Sequence, residues 1–228
     1  SDNGGCAEFL AEDGWAKFYP EHHLDGRPIV MGNRSDQVPG DPLTFMSYDL
    51  PWANASNAPF RLFKHWVHEG GISTPLVAHW PDGIPAPHIT HAATHVVDVL
   101  PTILEVTGAR YPSELGGHAI QPMDGVSFRA ALNGKDWQRE QPIYWEHEGN
   151  AAVRLGQFKL VRQSGRPWEL YDMEVDRTEL NCLAGKHKPL EEQLRRDFEA
   201  WAQLVGVEPW DLIWPKLKAA WGLESVGG

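Results

Sequence analysis

Cysteine is scarce. The 228 residues hold two, Cys6 and Cys182, and neither sits at CxxC or other metal-like spacing, which excludes cysteine-based zinc motifs and thioredoxin-type redox sites. Two states remain for the pair, one long-range disulfide or two buried thiols. The second is the expected one, because cysteine is commonly a small core residue. Basic residues are few as well: 20 Lys and Arg stand against 31 Asp and Glu, a net charge of −11. The chain therefore lacks the cationic surface that general nucleic-acid or anionic-membrane binding needs, so an anionic substrate has to be caught by a local cationic pocket. No apolar run approaches the roughly 20 residues that span a bilayer. An initiator Met and a basic–apolar–small leader pattern are also missing; the chain opens directly on the polar turn Ser1-Asp2-Asn3-Gly4-Gly5. A mature domain rarely begins inside a turn, so upstream sequence is expected and the compartment is left open.

What is present is globular in composition, with 42% hydrophobic and 22% charged residues. The length suits one large domain, or one domain plus a smaller one. Residues 7–59 are dense in turn formers, among them Pro20, Gly26, Pro28, Gly32, Asn33, Pro39 and Gly40. They read as a long ordered surface excursion of the kind that lines a site, with Tyr19, Phe45, Tyr48 and Trp52 arguing against disorder. Residues 60–71 form a short amphipathic stretch ending at Gly70-Gly71. Residues 74–80 (Thr-Pro-Leu-Val-Ala-His-Trp) predict a buried strand, closed by the turn Pro81-Asp82-Gly83. A helix follows, with Asp98 as its N-cap, Leu100, Ile103, Leu104 and Thr107 on one face and Gly108 as its stop. Strand then helix is the α/β signal. Residues 123–133 predict a further short helix through Val126, Phe128, Ala131 and Leu132.

After about residue 138 the pattern changes. Ile143-Tyr144-Trp145, residues 151–155, residues 158–162 and residues 168–171 predict adjacent strands without crossover helices, hence antiparallel pairing, with Gly156-Gln157 as a hairpin turn. Pro189 opens a helix with Leu190, Leu194, Phe198, Trp201 and Val205 on one face and Gly206 as its stop. The expected organisation is an α/β part over residues 1–137 and a small antiparallel sheet covered by a helix over residues 138–228.

Three places can carry chemistry. Asp2 and Asn3 offer a carboxylate and an amide carbonyl at a tight glycine turn, a donor pair suited to a hard divalent cation; Asp-Asn-Gly is equally an ordinary turn sequence. Lys64 lies among Arg61, His65 and His68, where Lys64 and His68, four apart, would share a helical face and present two donors to an anion; a solvated face is the plainer reading. His147, between Glu146 and Glu148, suits acid–base work or a carboxylate-bound imidazole at a strand end. Among the 11 tryptophans, Trp52, Trp66 and Trp145 can face a ring-bearing substrate, with core packing as the default.

Taken in order, several segments resemble the type I sulfatases of the alkaline-phosphatase-like superfamily. Ser1-Asp2-Asn3-Gly4-Gly5 resembles their metal-ligand turn. Residues 52–61 and Lys64 through Gly71 resemble the arylsulfatase segment that carries a sulfate-binding lysine and ends in Glu-Gly-Gly. Residues 98–104 resemble a family helix start, and Trp145-Glu-His-Glu-Gly-Asn, Phe158-Lys-Leu-Val and residues 170–183 resemble the small C-terminal domain. The resemblance implies the C-terminal part of an alkaline-phosphatase-like α/β/α domain, plus a small antiparallel β-sheet subdomain with a packed C-terminal helix. It implies Asp2 and Asn3 as ligands to Ca²⁺, or to Mg²⁺, Lys64 on the sulfate oxygens, and a small-molecule or glycan sulfate ester as substrate. The net charge and the lack of a long apolar run imply no nucleic-acid partner and no membrane span.

The family's nucleophile is a formylglycine made from a (Cys/Ser)-x-Pro-x-Arg motif. That motif is absent here, since Cys6 precedes Ala-Glu and Cys182 precedes Leu-Ala-Gly. The expected parent is a sulfatase and this chain its C-terminal half, inactive alone. The alternatives are a phosphodiesterase or phosphonate hydrolase of the same superfamily, and a non-catalytic module that binds sulfated glycans.

Overall fold

A computed structural model describes residues 3–12 and 19–221. Turn formers keep the first fifty residues largely irregular. They hold a short parallel pair, β1 (Val30–Met31) and β2 (Thr44–Phe45), and then helix α1 (Asp49–Asn57). A single helical turn, α2 (Glu69–Ile72), follows a loop. Helix α3 (Val99–Thr107) grows from a 3-10 turn (Val96–Asp98) and stops at Gly108, whose φ of 70° suits glycine. A small hairpin, β3 (Glu114–Leu115) with β4 (His118–Ala119), and a short helix, α4 (Arg129–Leu132), complete this half.

The second half is more regular. Strands β5 (Ile143–His147), β6 (Asn150–Leu155), β7 (Phe158–Arg162) and β8 (Glu169–Asp172) pair consecutively and antiparallel. Helices α5 (Lys188–Val205) and α6 (Trp210–Trp221) follow. Side chains alternate across a strand with a period of two, and that period builds both faces of this sheet. Ala151, Val153, Leu160 and Leu170 point to one face, where Leu194 and Phe198 of α5 close a dry core. Ala152, Val161 and Tyr171 point to the other, where Val67 and Met173 meet them and Ile72 and Trp145 pack alongside. The sheet thus carries α5 on one side and the segment around α2 on the other. The same alternation sends Lys159, between Phe158 and Leu160, to the α2 face.

The strands, hairpin and α5 agree with the sequence expectation; four other expectations are corrected. Residues 74–80 form no strand, and Leu76 and Val77 lie open, because no described strand is placed to pair with them. On α3, Leu100 and Ile103 are exposed, and the buried residue is Thr102, whose hydroxyl donates to the Asp98 carbonyl (2.7 Å) and accepts from the Phe128 amide (3.1 Å). Asp98 stands at the helix N-terminus but makes no side-chain cap to α3. Its buried carboxylate instead accepts from the His95 and Val126 amides (2.8 and 2.9 Å) and from Arg139. Both cysteines are free thiols, as expected, but neither is buried: Cys6 is half-buried and Cys182 exposed.

Candidate functional site

The glycine turn and Lys64 meet on one surface. Gly4 donates to the Gly71 carbonyl (2.9 Å), and the Lys64 amide donates to the Gly5 carbonyl (3.0 Å). Asn57 staples the two strands of chain together. Its Oδ1 accepts from the Gly5 amide (2.8 Å), and its Nδ2 donates to the carbonyls of Gly70 (2.7 Å) and Leu62 (3.0 Å). The backbones lie so close that a Cβ on Gly4 would fall 1.7 Å from the Gly70 oxygen, and one on Gly5 2.4 Å from the Tyr48 hydroxyl. Gly70 and Gly71 are equally enclosed, by the Leu62 and Trp66 carbonyls. Glycine is therefore required at these positions by close approach.

Lys64 rises from this platform half-exposed, with its Nζ 3.5 Å from Glu8 and 4.0 Å from the Cys6 Sγ. An exposed pair of this kind is worth about 0–1 kcal/mol, so an incoming anion can displace Glu8 readily. The helical face expected to join Lys64 and His68 does not form. Leu62 and His65 take left-handed backbone (φ 63° and 95°), and residues 60–68 run as turns.

His68 instead points away from Lys64 into the sheet seam, fully buried. Neither ring nitrogen has a hydrogen-bond partner, and the Glu169 carboxylate stands 3.6 Å from Nε2. Burial, reinforced by the Lys159 and Arg61 charges, pushes its pKa down to about 4, so the ring is neutral at pH 7. Beside it lies a buried triad that sequence reading missed. The Lys159 ammonium donates to Glu69 Oε1 and Glu179 Oε1, both at 2.9 Å, and Glu179 Oε2 accepts from the Glu69 amide. Burial alone would raise both carboxyls. Lys159, with Arg154 and Arg177 beyond, outweighs burial at Glu69 and holds it below its usual range, whereas burial prevails at Glu179 and lifts it. Arg61 extends the seam, donating to Glu169, to the Tyr171 hydroxyl and to the Glu179 carbonyl at 3.1–3.2 Å. The signal available in the sequence was the strand alternation, which puts Lys159, Glu169 and Tyr171 on one face.

Of the remaining candidates, Asp2 lies outside the described residues. Asn3 is exposed at the start of the glycine turn, its amide donating to the Gly4 carbonyl (2.7 Å). A carboxylate and an amide carbonyl are donor types that a Ca²⁺-class ion takes. His147 sits exposed at the end of β5, and neither flanking carboxylate binds it. Glu146 accepts from the Gly149 amide (2.8 Å), and Glu148 pairs with His65 Nδ1 at 2.8 Å. Trp52 is exposed on α1, while Trp66 and Trp145 are half-buried.

Residues 60–203 match the sequence family described as N-sulphoglucosamine sulphohydrolase, C-terminal. The chain belongs to this sulfatase C-terminal family, and its fold is the C-terminal part of the alkaline-phosphatase-like α/β architecture. An uncharacterized sulfatase of Schizosaccharomyces pombe is 34% identical over 182 residues, which cover 73% of this chain and 31% of that protein. N-acetylgalactosamine-6-sulfatase of Sus scrofa is 32% identical over 154 residues, 63% of this chain and 28% of that protein. Among solved structures, Ps i-CgsB in complex with k-i-k-neocarrahexaose superposes with a TM-score of 0.56 at 27% identity, covering 68% of this chain and 34% of that one. The chain thus spans about a third of the length of these relatives. Among the described residues no helix is long and apolar enough to cross a membrane.

Proposed function

We propose that this chain is the C-terminal part of an enzyme that hydrolyses sulfate monoesters of glycans, and that it supplies one cation-binding turn and one anion-binding lysine to the active site. The observation that supports this reading is the hydrogen bond from the Lys64 amide to the Gly5 carbonyl, which brings the Asn3-Gly4-Gly5 turn beside Lys64. The glycan names of several relatives support the substrate class. We also read the chain as two units dividing near residue 137, with the buried Lys159 triad joining them.

In this reading Asp2 and Asn3 hold a Ca²⁺-class ion, which when bound supplies positive charge to the sulfuryl oxygens. Lys64 leaves Glu8 and places its ammonium on the sulfuryl oxygens, stabilising the charge that builds there in the transition state. The Asn57 staple and the glycine contacts keep both groups in place as the sulfate enters. The nucleophile lies outside this chain.

The test is a calcium titration of sulfatase activity in the full-length protein, with circular dichroism as the fold check. Asp2→Ala is expected to lower cation occupancy, so excess Ca²⁺ restores part of the rate. Lys64→Ala is expected to leave calcium binding intact and to cost about 3 kcal/mol of transition-state stabilisation, as removal of one oxyanion donor does. A folded Lys64→Ala enzyme with near-parental rate shows the anion contact to lie elsewhere.

A further inference from the structure

We infer that His65, His147 and Glu148 form a binding site for a zinc-class divalent cation, separate from the hard-oxygen turn at Asp2-Asn3 and independent of the reading above. Each of the three offers one ligand atom, and these atoms all lie within 4.8 Å of one another. Ligands on a tetrahedral zinc stand about 3.4 Å apart, as bonds of about 2.0–2.2 Å require. The 2.8 Å separation of His65 Nδ1 from Glu148 and the 4.8 Å limit on the set bracket that value, so small side-chain rotations close the site.

Three features build the cluster. The imidazoles of His65 and His147 meet edge to face, with centroids 5.4 Å apart. Buried Asn150 reaches both backbones at once, donating to the His147 carbonyl at 2.9 Å and towards the His65 carbonyl at 3.4 Å. His65 and Glu148 both hold left-handed backbone (φ 95° and 53°), a conformation that costs a non-glycine residue energy and places each side chain towards the other. The neighbouring carboxylate, Glu146, is occupied by the Gly149 amide, which leaves Glu148 to complete the set.

Two imidazoles and one carboxylate favour zinc-class ions over Ca²⁺, which takes oxygen ligands almost exclusively. Three protein ligands leave a fourth position open, the arrangement of a site that also takes water or a ligand oxygen. The ion would tie the loop that carries Lys64, through its neighbour His65, to the β5–β6 turn.

The experiment uses the whole chain with both cysteines replaced by serine, so that thiolates cannot contribute. Zn²⁺ uptake is read by calorimetry, and Co²⁺ uptake by its visible ligand-field bands. The expected result is one ion per chain, with an isotherm that excess Ca²⁺ leaves unchanged. His147→Ala and Glu148→Gln are each expected to weaken binding at least about tenfold with circular dichroism unchanged, by the scale on which metal-site changes act. His147 is exposed, so its replacement leaves the core untouched. Absence of saturable uptake overturns the inference, as does one-ion binding that both variants leave intact or that Ca²⁺ displaces. Asn3→Ala should not move the Zn²⁺ isotherm, which keeps this outcome apart from any failure at the Asp2-Asn3 turn.

Discussion

Residues 143–205 and residues 74–107 are built from similar apolar spacings and end in opposite states. In the first, Leu160, Leu170 and Leu194 are at most 1% exposed. In the second, Val77 is 89% exposed and Leu100 and Ile103 nearly half exposed. The strands of the first region pair with their sequence neighbours, β5 to β6 to β7 to β8, and α5 folds back over them. One face of the sheet finds its cover within about sixty residues, in α5, and the other is covered by Val67 and Ile72 of the α2 segment. The apolar face of α3 and the run at 74–80 have no such neighbour among the described residues. An amphipathic pattern states which face wants burial; it does not state that the burying surface is nearby. The first region is also held to the segment around α2 by a seam that is charged as well as apolar, and that seam offers the sharpest way to test how its cover is fixed.

The largest effect belongs to Lys159. It is completely buried between Glu69 and Glu179, so Lys159→Ala leaves two buried carboxylates facing each other without their shared counter-charge, with only the more distant Arg177 beside Glu69. Removing one partner of such a group costs about 3–5 kcal/mol. Denaturant unfolding should show that loss. An all-neutral triad, Lys159→Met with Glu69→Gln and Glu179→Gln, should recover most of it, because the penalty lies in unpaired charge rather than lost packing. A Lys159→Ala chain within 1 kcal/mol of the parent would mean that the triad does not hold the sheet to the α2 segment.

Acid should loosen the same seam, somewhat less. The His68 pKa is pushed down to about 4 in the folded chain, against about 6.5 when unfolded. The unfolded state therefore binds the extra proton first. The stability this group contributes is full above pH 6.5 and is lost as pH falls towards 4, up to about 3 kcal/mol in all. Glu69, held low, adds a loss of the same sign below its own unfolded value near 4.5, while Glu179, held high, works against it. Thermal melts at pH 7 and pH 5 should show the drop, and His68→Phe should flatten it over that interval. An unchanged slope in the variant would place the acid sensitivity elsewhere.

What the sequence made legible follows the same division. The four strands, their antiparallel order, the Gly156 turn and the α5 face were readable because period-two and period-3.6 patterns were each completed by local partners. Residues 74–80 were misread because a run of apolar residues reads as a strand whether or not a neighbouring strand exists. Residues 60–68 were misread as helical because spacing is blind to the left-handed turns at Leu62 and His65. Lys64 and the glycine turn were legible as a motif, yet the Asn57 staple that sets them side by side was not, since nothing local marks an asparagine whose partners are thirteen and fifty-two residues away. Lys159 and Glu179 carry no local signal of burial either. The strand phase, followed through to the α2 face, tells that Lys159 is inside, whereas Glu179 lies in a turn beyond β8 and has no such phase.

The smallest expected effect is the one that tests the open region directly. Leu76, Val77 and Leu100 are exposed in this chain, so Leu76→Ser, Val77→Ser and Leu100→Ser remove little that folding buries. Each should stay within about 0.5 kcal/mol of the parent in urea unfolding. The same changes should lower the binding of a hydrophobic dye, because they remove exposed apolar side chains. In the full-length protein, of which we propose this chain is the C-terminal part, the rest of the α/β domain is expected to cover that surface. There, Val77→Ser should cost about 1.5–3 kcal/mol, the value of burying such a side chain. The comparison therefore predicts a mutation that is silent in one context and damaging in the other. Equal costs in both would show the 74–80 run to be a true surface segment, and the difference between the two regions would then be one of composition rather than of missing partners.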